Sequence, residues 1–202
     1  MITELLKNEK DVFSFMLVGV GGQGTILASD VIAGLGMSLG YDVKKAEVHG
    51  MSQRGGSVTS HVRWGKRVNS PIIADGQADI MIAFEKVEAA RFAKGLKPDG
   101  IVLINDYRIV PITVSSGGQS YPDDKSIDTA IKVYSKNVNY IDGIGIAESA
   151  GTVKAANVVL LGALSKLLEM DEFPWVEAIK MRVPEKFLAI NMEAFNRGRV
   201  SV

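Results

Sequence analysis

Cysteine is missing altogether from these 202 residues. That excludes disulfides, a thiolate metal site and an iron–sulfur cluster ligated in the ordinary way by this chain. Histidine is nearly as scarce, with two in all. Neither His49 nor His61 has a second histidine or a spaced carboxylate around it, which argues against a metal centre. An excess of charge of either sign is lacking too, because Lys plus Arg equals Asp plus Glu at 23 each. No broad basic field therefore favours nucleic acid or an anionic membrane surface. No stretch approaches the ~20 apolar residues of a membrane span, and Met1 to Asp11 is charged throughout with no apolar core of a signal peptide. A cytoplasmic location is expected.

What is present suits one sizeable core: 47% of the residues are hydrophobic. The expectation is a single domain over 1–202, with residues 171–202 as a helical C-terminal extension. Its centre is Phe13 to Thr25, an apolar run that ends abruptly in glycines and then turns helical. Gly19, Gly21 and Gly24 satisfy G-x-G-x-x-G, whose glycines allow a tight turn and bring backbone N–H groups near a bound anion. A helix starting near Gly22 aims its unpaired N–H groups and positive dipole end above the strand. The same glycines equally let a strand and a helix pack closely, so a ligand cradle and a packing turn both stand at this point.

Helical spacing of Ile26, Leu27, Val31, Leu35 and Leu39 marks the helix that follows. Tyr41 to Val48 reads as a second parallel strand. An acidic residue at its end, Glu47, falls near the place where a dinucleotide fold holds a ribose, which keeps a free-standing NAD(P)- or flavin-binding oxidoreductase as the alternative reading. Next comes a polar, glycine-rich loop, His49 to Ser57. Val58, Ser60, Val62 and Trp64 then alternate with Thr59, His61 and Arg63, which predicts a hairpin strand turning at Gly65-Lys66 and returning along an edge over Arg67 to Ile73. On that scheme His61 lies on the exposed face. Lys44, Lys45, Lys66 and Arg67 make a modest basic patch, read as a solvated face.

Beyond the hairpin, strands are predicted at Ala78–Phe84, Ile101–Asn105 and Asn137–Asp142. Helices alternate with them at Glu85–Lys94, Ile127–Tyr134 and Gly143–Ala150, followed by Val153–Met170 and two further helices separated by Pro184. Ser115 to Asp124 is the most loop-like segment. Strands alternating with helices give an α/β fold: a doubly wound, Rossmann-like, mostly parallel sheet with helices on both faces, an added β-hairpin and C-terminal helices.

Four segments in order carry a resemblance. Gly19-Val-Gly-Gly-Gln-Gly24 after a strand, Ser52-Gln-Arg-Gly-Gly-Ser-Val58, Ala78-Asp-Ile-Met-Ile-Ala83 and Ala156-Asn-Val-Val-Leu-Leu-Gly-Ala-Leu164 together resemble the gamma-type domain of the 2-oxoacid:ferredoxin oxidoreductases. Met51 to Ser57, Ser70-Pro-Ile-Ile73 and Phe84-Glu-Lys-Val-Glu-Ala-Ala90 are most similar to the small subunits of that family's indolepyruvate-type members. The resemblance implies an enzyme assembled from subunits, which decarboxylates an aryl 2-oxoacid oxidatively, passes electrons to ferredoxin and makes an acyl-coenzyme A. It implies that a larger partner subunit carries thiamine diphosphate, its Mg ion and the iron–sulfur clusters. Asp-Gly occurs here at 75–76, 99–100 and 142–143, but never with the preceding Gly of the family's diphosphate–metal motif. This chain is then expected to hold no cofactor by itself, to contribute no catalytic residue and to be inactive alone. Its contribution is scaffold, interface and part of the coenzyme A or substrate channel. The candidate binding residues are Gly21, Gly22, Gln23 and Gly24 in one loop and Ser52, Gln53, Arg54, Gly55 and Gly56 in the other, with the Arg54 guanidinium suited to a phosphate or carboxylate. Both loops are expected to face one crevice.

Overall fold

The structure, a computed structural model, describes residues 12–49, 56–110, 114, 117 and 120–202. Six strands are described: β1 Val12–Val20, β2 Asp42–His49, β3 Ser57–Gly65, β4 Ala78–Ala83, β5 Leu96–Asn105 and β6 Val138–Ile141. Seven helices accompany them among the described residues: α1 Thr25–Ser38, α2 Lys86–Phe92, α3 Asp124–Lys132, α4 Gly143–Ala150, α5 Ala156–Leu167, α6 Glu172–Lys180 and α7 Leu188–Val200. The strands form one sheet in the order β2-β3-β1-β4-β5-β6. β1, β4, β5 and β6 run parallel, while β3 is antiparallel to both β1 and β2.

The largely apolar runs in β1 and β4 follow from this layering, because strands covered on both faces have little polar side to show. The exceptions, Ser14 and Asp79, are buried and meet each other, the Ser14 N–H donating to Asp79 Oδ2 at 2.9 Å. Phe13, Phe15 and Leu17 pack with Ile80 and Ile82 against α1, α5, α6 and α7. Met16, Val18 and Met81 face the other way, toward α2 and α3. Residues 171–202 are helical and packed: Trp175, Ile179 and Phe195 are fully buried, and α7 lies along α5. The doubly wound, mostly parallel fold with helices on both faces is as the sequence pattern predicts.

The hairpin differs from expectation. β3 has a partner on each side, so no edge is left for Arg67 to Ile73 to return along, and the hairpin is β2 with β3 instead. The 67–73 segment has no strand structure. It is held by side chains: Arg63 Nη1 donates to the carbonyls of Ser70 (3.1 Å) and Ile72 (3.3 Å), and the Val68 N–H donates to Asp42 Oδ2 at 2.8 Å. His61 lies beneath this segment rather than on an exposed face. It is 8% exposed and its Nδ1 accepts the Ile73 N–H at 2.9 Å. Burial and the charge of Arg63 hold the imidazole below its ordinary pKa, in keeping with a neutral acceptor.

The basic patch is also smaller than its four residues suggest. Lys44 pairs with Asp42 at 2.6 Å, and Lys45 with Asp30 at 2.6 Å and Glu47 at 2.7 Å.

Candidate functional site

β1 feeds α1 on one face of the sheet and β4 feeds α2 on the other, so the chain reverses its winding between two neighbouring strands. Such a reversal opens a crevice at the carboxyl ends of the strands, where ligands bind in open α/β sheets. A cleft of about 610 Å³ lies there. Gly21, Gly22, Gln23 and Gly24 form one wall, Phe84, Asn105, Tyr107 and Ile109 another, and Ile144, Val153, Lys154 and Ala156 close the third side.

The glycine turn is shaped by backbone alone. Gly22 and Gly24 have φ of 103° and 80°, a region where a side chain is strained. Gly24 is the N-cap of α1 and offers no side-chain cap, and the first turn holds no acidic residue. The N–H groups there are left to whatever enters the cleft. Among the described residues the lining contains no carboxylate, and none pairs with the Lys154 ammonium. A positive helix end, a free ammonium and an otherwise apolar wall suit a ligand with an anionic group and an apolar body.

Gln23 lines the cleft, yet its side-chain amide is already engaged. Its Oε1 accepts the Val20 N–H at 2.7 Å and its Nε2 donates to the Phe84 carbonyl at 2.8 Å, so the amide clamps β1 to β4. Gly56 stands directly behind the turn, its carbonyl accepting the Gly21 N–H at 2.9 Å. Since Val20 pairs with Ser57 and Val48 with Thr59, the β2–β3 connection rejoins the sheet at the cleft end. Ser52, Gln53, Arg54 and Gly55 lie outside the described residues, as do 115, 116, 118 and 119 of the segment 115–124 and the first eleven residues. Glu47 stands on a strand that β3 separates from β1, and its carboxylate meets Lys45. In a dinucleotide fold the ribose acid comes from the strand beside β1, so that alternative lacks its geometry.

Residues that sequence reasoning passed over hold the far wall. Glu85 is 1% exposed and caps α2, its Oε2 accepting the Glu88 N–H at 2.9 Å. Its Oε1 accepts the Ile109 N–H at 3.3 Å and the Tyr121 hydroxyl. Burial and this carboxylate push the Tyr121 phenol well above its ordinary pKa. Lys86, 7% exposed, pairs with Asp106 and with Asp124 at 2.9 Å; burial opposes its charge, but the two aspartates outweigh it and keep its pKa above the ordinary value. Asn105 accepts the Gly143 N–H at 2.9 Å and donates to the Phe84 carbonyl at 3.2 Å. Asn157 donates to the Gly24 carbonyl at 3.3 Å. The available signal was three charges within four positions after a strand that is apolar apart from Asp79, which a surface helix has no need of.

These features define a class: a doubly wound α/β protein with a crevice at the point where the winding reverses. More particularly, residues 14–200 match the family described as pyruvate ferredoxin/flavodoxin oxidoreductase, and the chain belongs to it. It is 40% identical over 190 residues to the indolepyruvate oxidoreductase subunit IorB of Archaeoglobus fulgidus, covering 92% of each chain. It is 37% identical over 192 residues to the IorB subunit of Thermococcus kodakarensis, covering 92% of this chain and 94% of that one. The crystal structure of the keto/oxoacid ferredoxin oxidoreductase gamma subunit from Geobacter sulfurreducens PCA is similar with a TM-score of 0.67 at 25% identity, covering 94% of this chain and 97% of that one.

Proposed function

We propose that this chain is the small subunit of an indolepyruvate-type 2-oxoacid:ferredoxin oxidoreductase, which makes acyl-coenzyme A and carbon dioxide by oxidative decarboxylation of an aryl 2-oxoacid. The observation that carries this reading is the near-full-length identity of 37–40% to two archaeal subunits named for indolepyruvate. Thiamine diphosphate, Mg and iron–sulfur clusters, which supply the decarboxylation and the electron transfer, are assigned to a larger partner subunit with ferredoxin as acceptor. The residues of this chain do not suit those groups: no cysteine exists to hold a cluster, and among the described residues the cleft lining has no carboxylate for a metal–diphosphate. The complex is assigned to the cytoplasm; among the described residues no helix is long and apolar enough to cross a membrane.

The cleft is the part of this chain assigned to coenzyme A. Gly21, Gly22, Gln23 and Gly24 offer the bare helix end, and Ser52, Gln53, Arg54, Gly55 and Gly56 belong to the connection that rejoins the sheet behind it. The test is co-expression with the large subunit, followed by steady-state kinetics of the complex carrying Arg54→Ala. Loss of one charge-assisted anion contact should raise the apparent KM for coenzyme A by about tenfold with assembly intact. Turnover of a keto acid by the isolated chain, or micromolar NAD binding in its glycine turn, would overturn the assignment.

A further inference from the structure

Two walls of the cleft are separate in sequence, yet they converge on the stretch Phe84 to Glu88. The Phe84 carbonyl accepts from Gln23 and from Asn105, joining the glycine turn to the end of β5. Glu85 and Lys86 hold the stretch after β5 through Ile109, Tyr121 and Asp106. Glu88 reaches the opposite way. It is 4% exposed, its Oε2 accepts the Ser57 hydroxyl and its Oε1 pairs with Arg91 at 2.8 Å. Ser57 opens β3 immediately after Gly56, whose carbonyl takes the Gly21 N–H.

Neither Glu88 nor Ser57 lines the cleft. A carboxylate this buried is costly unless its oxygens are engaged. The groups facing it are Glu85 and Arg91 on its own helix and turn and Ser57 across on the sheet, and burial pushes its carboxyl above the ordinary range against the opposing pull of Ser57 and Arg91. Packing alone would be served by an apolar residue at this position, so the acceptor for Ser57 is the feature to be explained.

We infer that Glu88 is a positioning residue: by holding the Ser57 hydroxyl it fixes the start of β3 behind the glycine turn, and so, through the Gly21 N–H bond to Gly56, sets where that turn stands along the cleft. Its consequence for catalysis rests on the reading of the cleft given above, but the positioning itself does not.

The experiment separates the two. Amide hydrogen exchange is followed by NMR on the full chain for the wild type, Ser57→Ala, Glu88→Leu and Glu88→Gln. Loss of one buried hydrogen bond should speed exchange at Gly21 and residues 56–60 by about tenfold in the Ser57→Ala and Glu88→Leu chains, and leave β5 unchanged. Glu88→Gln keeps an acceptor oxygen in place and should restore slow exchange. Unchanged exchange at Gly21 and 56–60 in a folded Ser57→Ala chain overturns the inference, as does a Gln variant that behaves like Leu. In the reconstituted complex, Ser57→Ala should raise the apparent KM for coenzyme A several-fold at unchanged kcat. Faster exchange with an unchanged KM leaves the positioning standing and removes coenzyme A from the cleft.

Discussion

Two strand-to-helix turns stand side by side at the same end of the sheet, and they are built from opposite materials. Between β1 and α1 the turn is glycine and backbone, with an uncapped helix end facing open space. Between β4 and α2 the turn is filled by Glu85, Lys86 and Glu88, and the helix end is capped by Glu85. A bare turn leaves its N–H groups for a ligand, whereas a filled one satisfies its own and reaches out to satisfy its neighbours. On the reading proposed above, the second turn holds the first in place.

The sharpest way to break that comparison is to empty the filled turn. Glu85→Ala removes the α2 cap and leaves the half-buried Tyr121 hydroxyl and the Ile109 and Glu88 N–H groups without their acceptor. The expected loss is about 3 kcal/mol, from one cap and one or more orphaned donors. Urea denaturation of the isolated chain measures it. A loss near zero would mean that the charged turn is ornament on a sheet that stands without it.

How much of this was legible beforehand follows from the kind of signal each turn sends. The glycine turn announces itself, because an apolar run ending in G-x-G-x-x-G has few physical readings, and Gly21 to Gly24 do line the cleft. The order of strands was harder. Alternation in Val58 to Trp64 identifies a strand and its faces, but nothing local says that β3 slots between β1 and β2 and so denies Arg67 to Ile73 an edge. His61 was misread for that reason alone: its face is polar in pattern, yet a strandless segment lies over it. The charges of the second turn looked like the solvated side of an amphipathic helix. Their partners, Ser57, Asp106 and Tyr121, are between 20 and 36 residues away, beyond any periodicity.

Next in size comes the glycine turn itself. Gly24→Ala forces a left-handed φ on a side chain and places a Cβ 2.5 Å from Asn157 Nδ2, which already donates to the Gly24 carbonyl. Backbone strain and displacement of that amide should cost about 2 kcal/mol. Gly22→Ala meets nothing within 4 Å and carries the strain alone, about 1 kcal/mol. Thermal melts of the two variants, read against each other, isolate what Asn157 adds. Equal losses would show that Asn157 yields freely and does not brace the bare turn.

The smallest effect separates the turns by pH. Burial raises the Glu88 carboxyl in the folded chain, with Ser57 and Arg91 pulling against it. Between the unfolded value and the raised one, the folded chain keeps a proton that the unfolded chain has released. Stability from this group is therefore greatest at low pH and declines as pH rises through that window. Glu88→Gln removes the titration while keeping an acceptor for Ser57. Its stability relative to wild type should accordingly improve by a fraction of a kcal/mol as pH is raised from about 4.5, then level off. The glycine turn contains nothing that titrates, so the deficit of Gly24→Ala should stay flat across the same range. If both differences are flat, the protonation of Glu88 does not change on folding, and the two turns differ in shape but not in their response to pH.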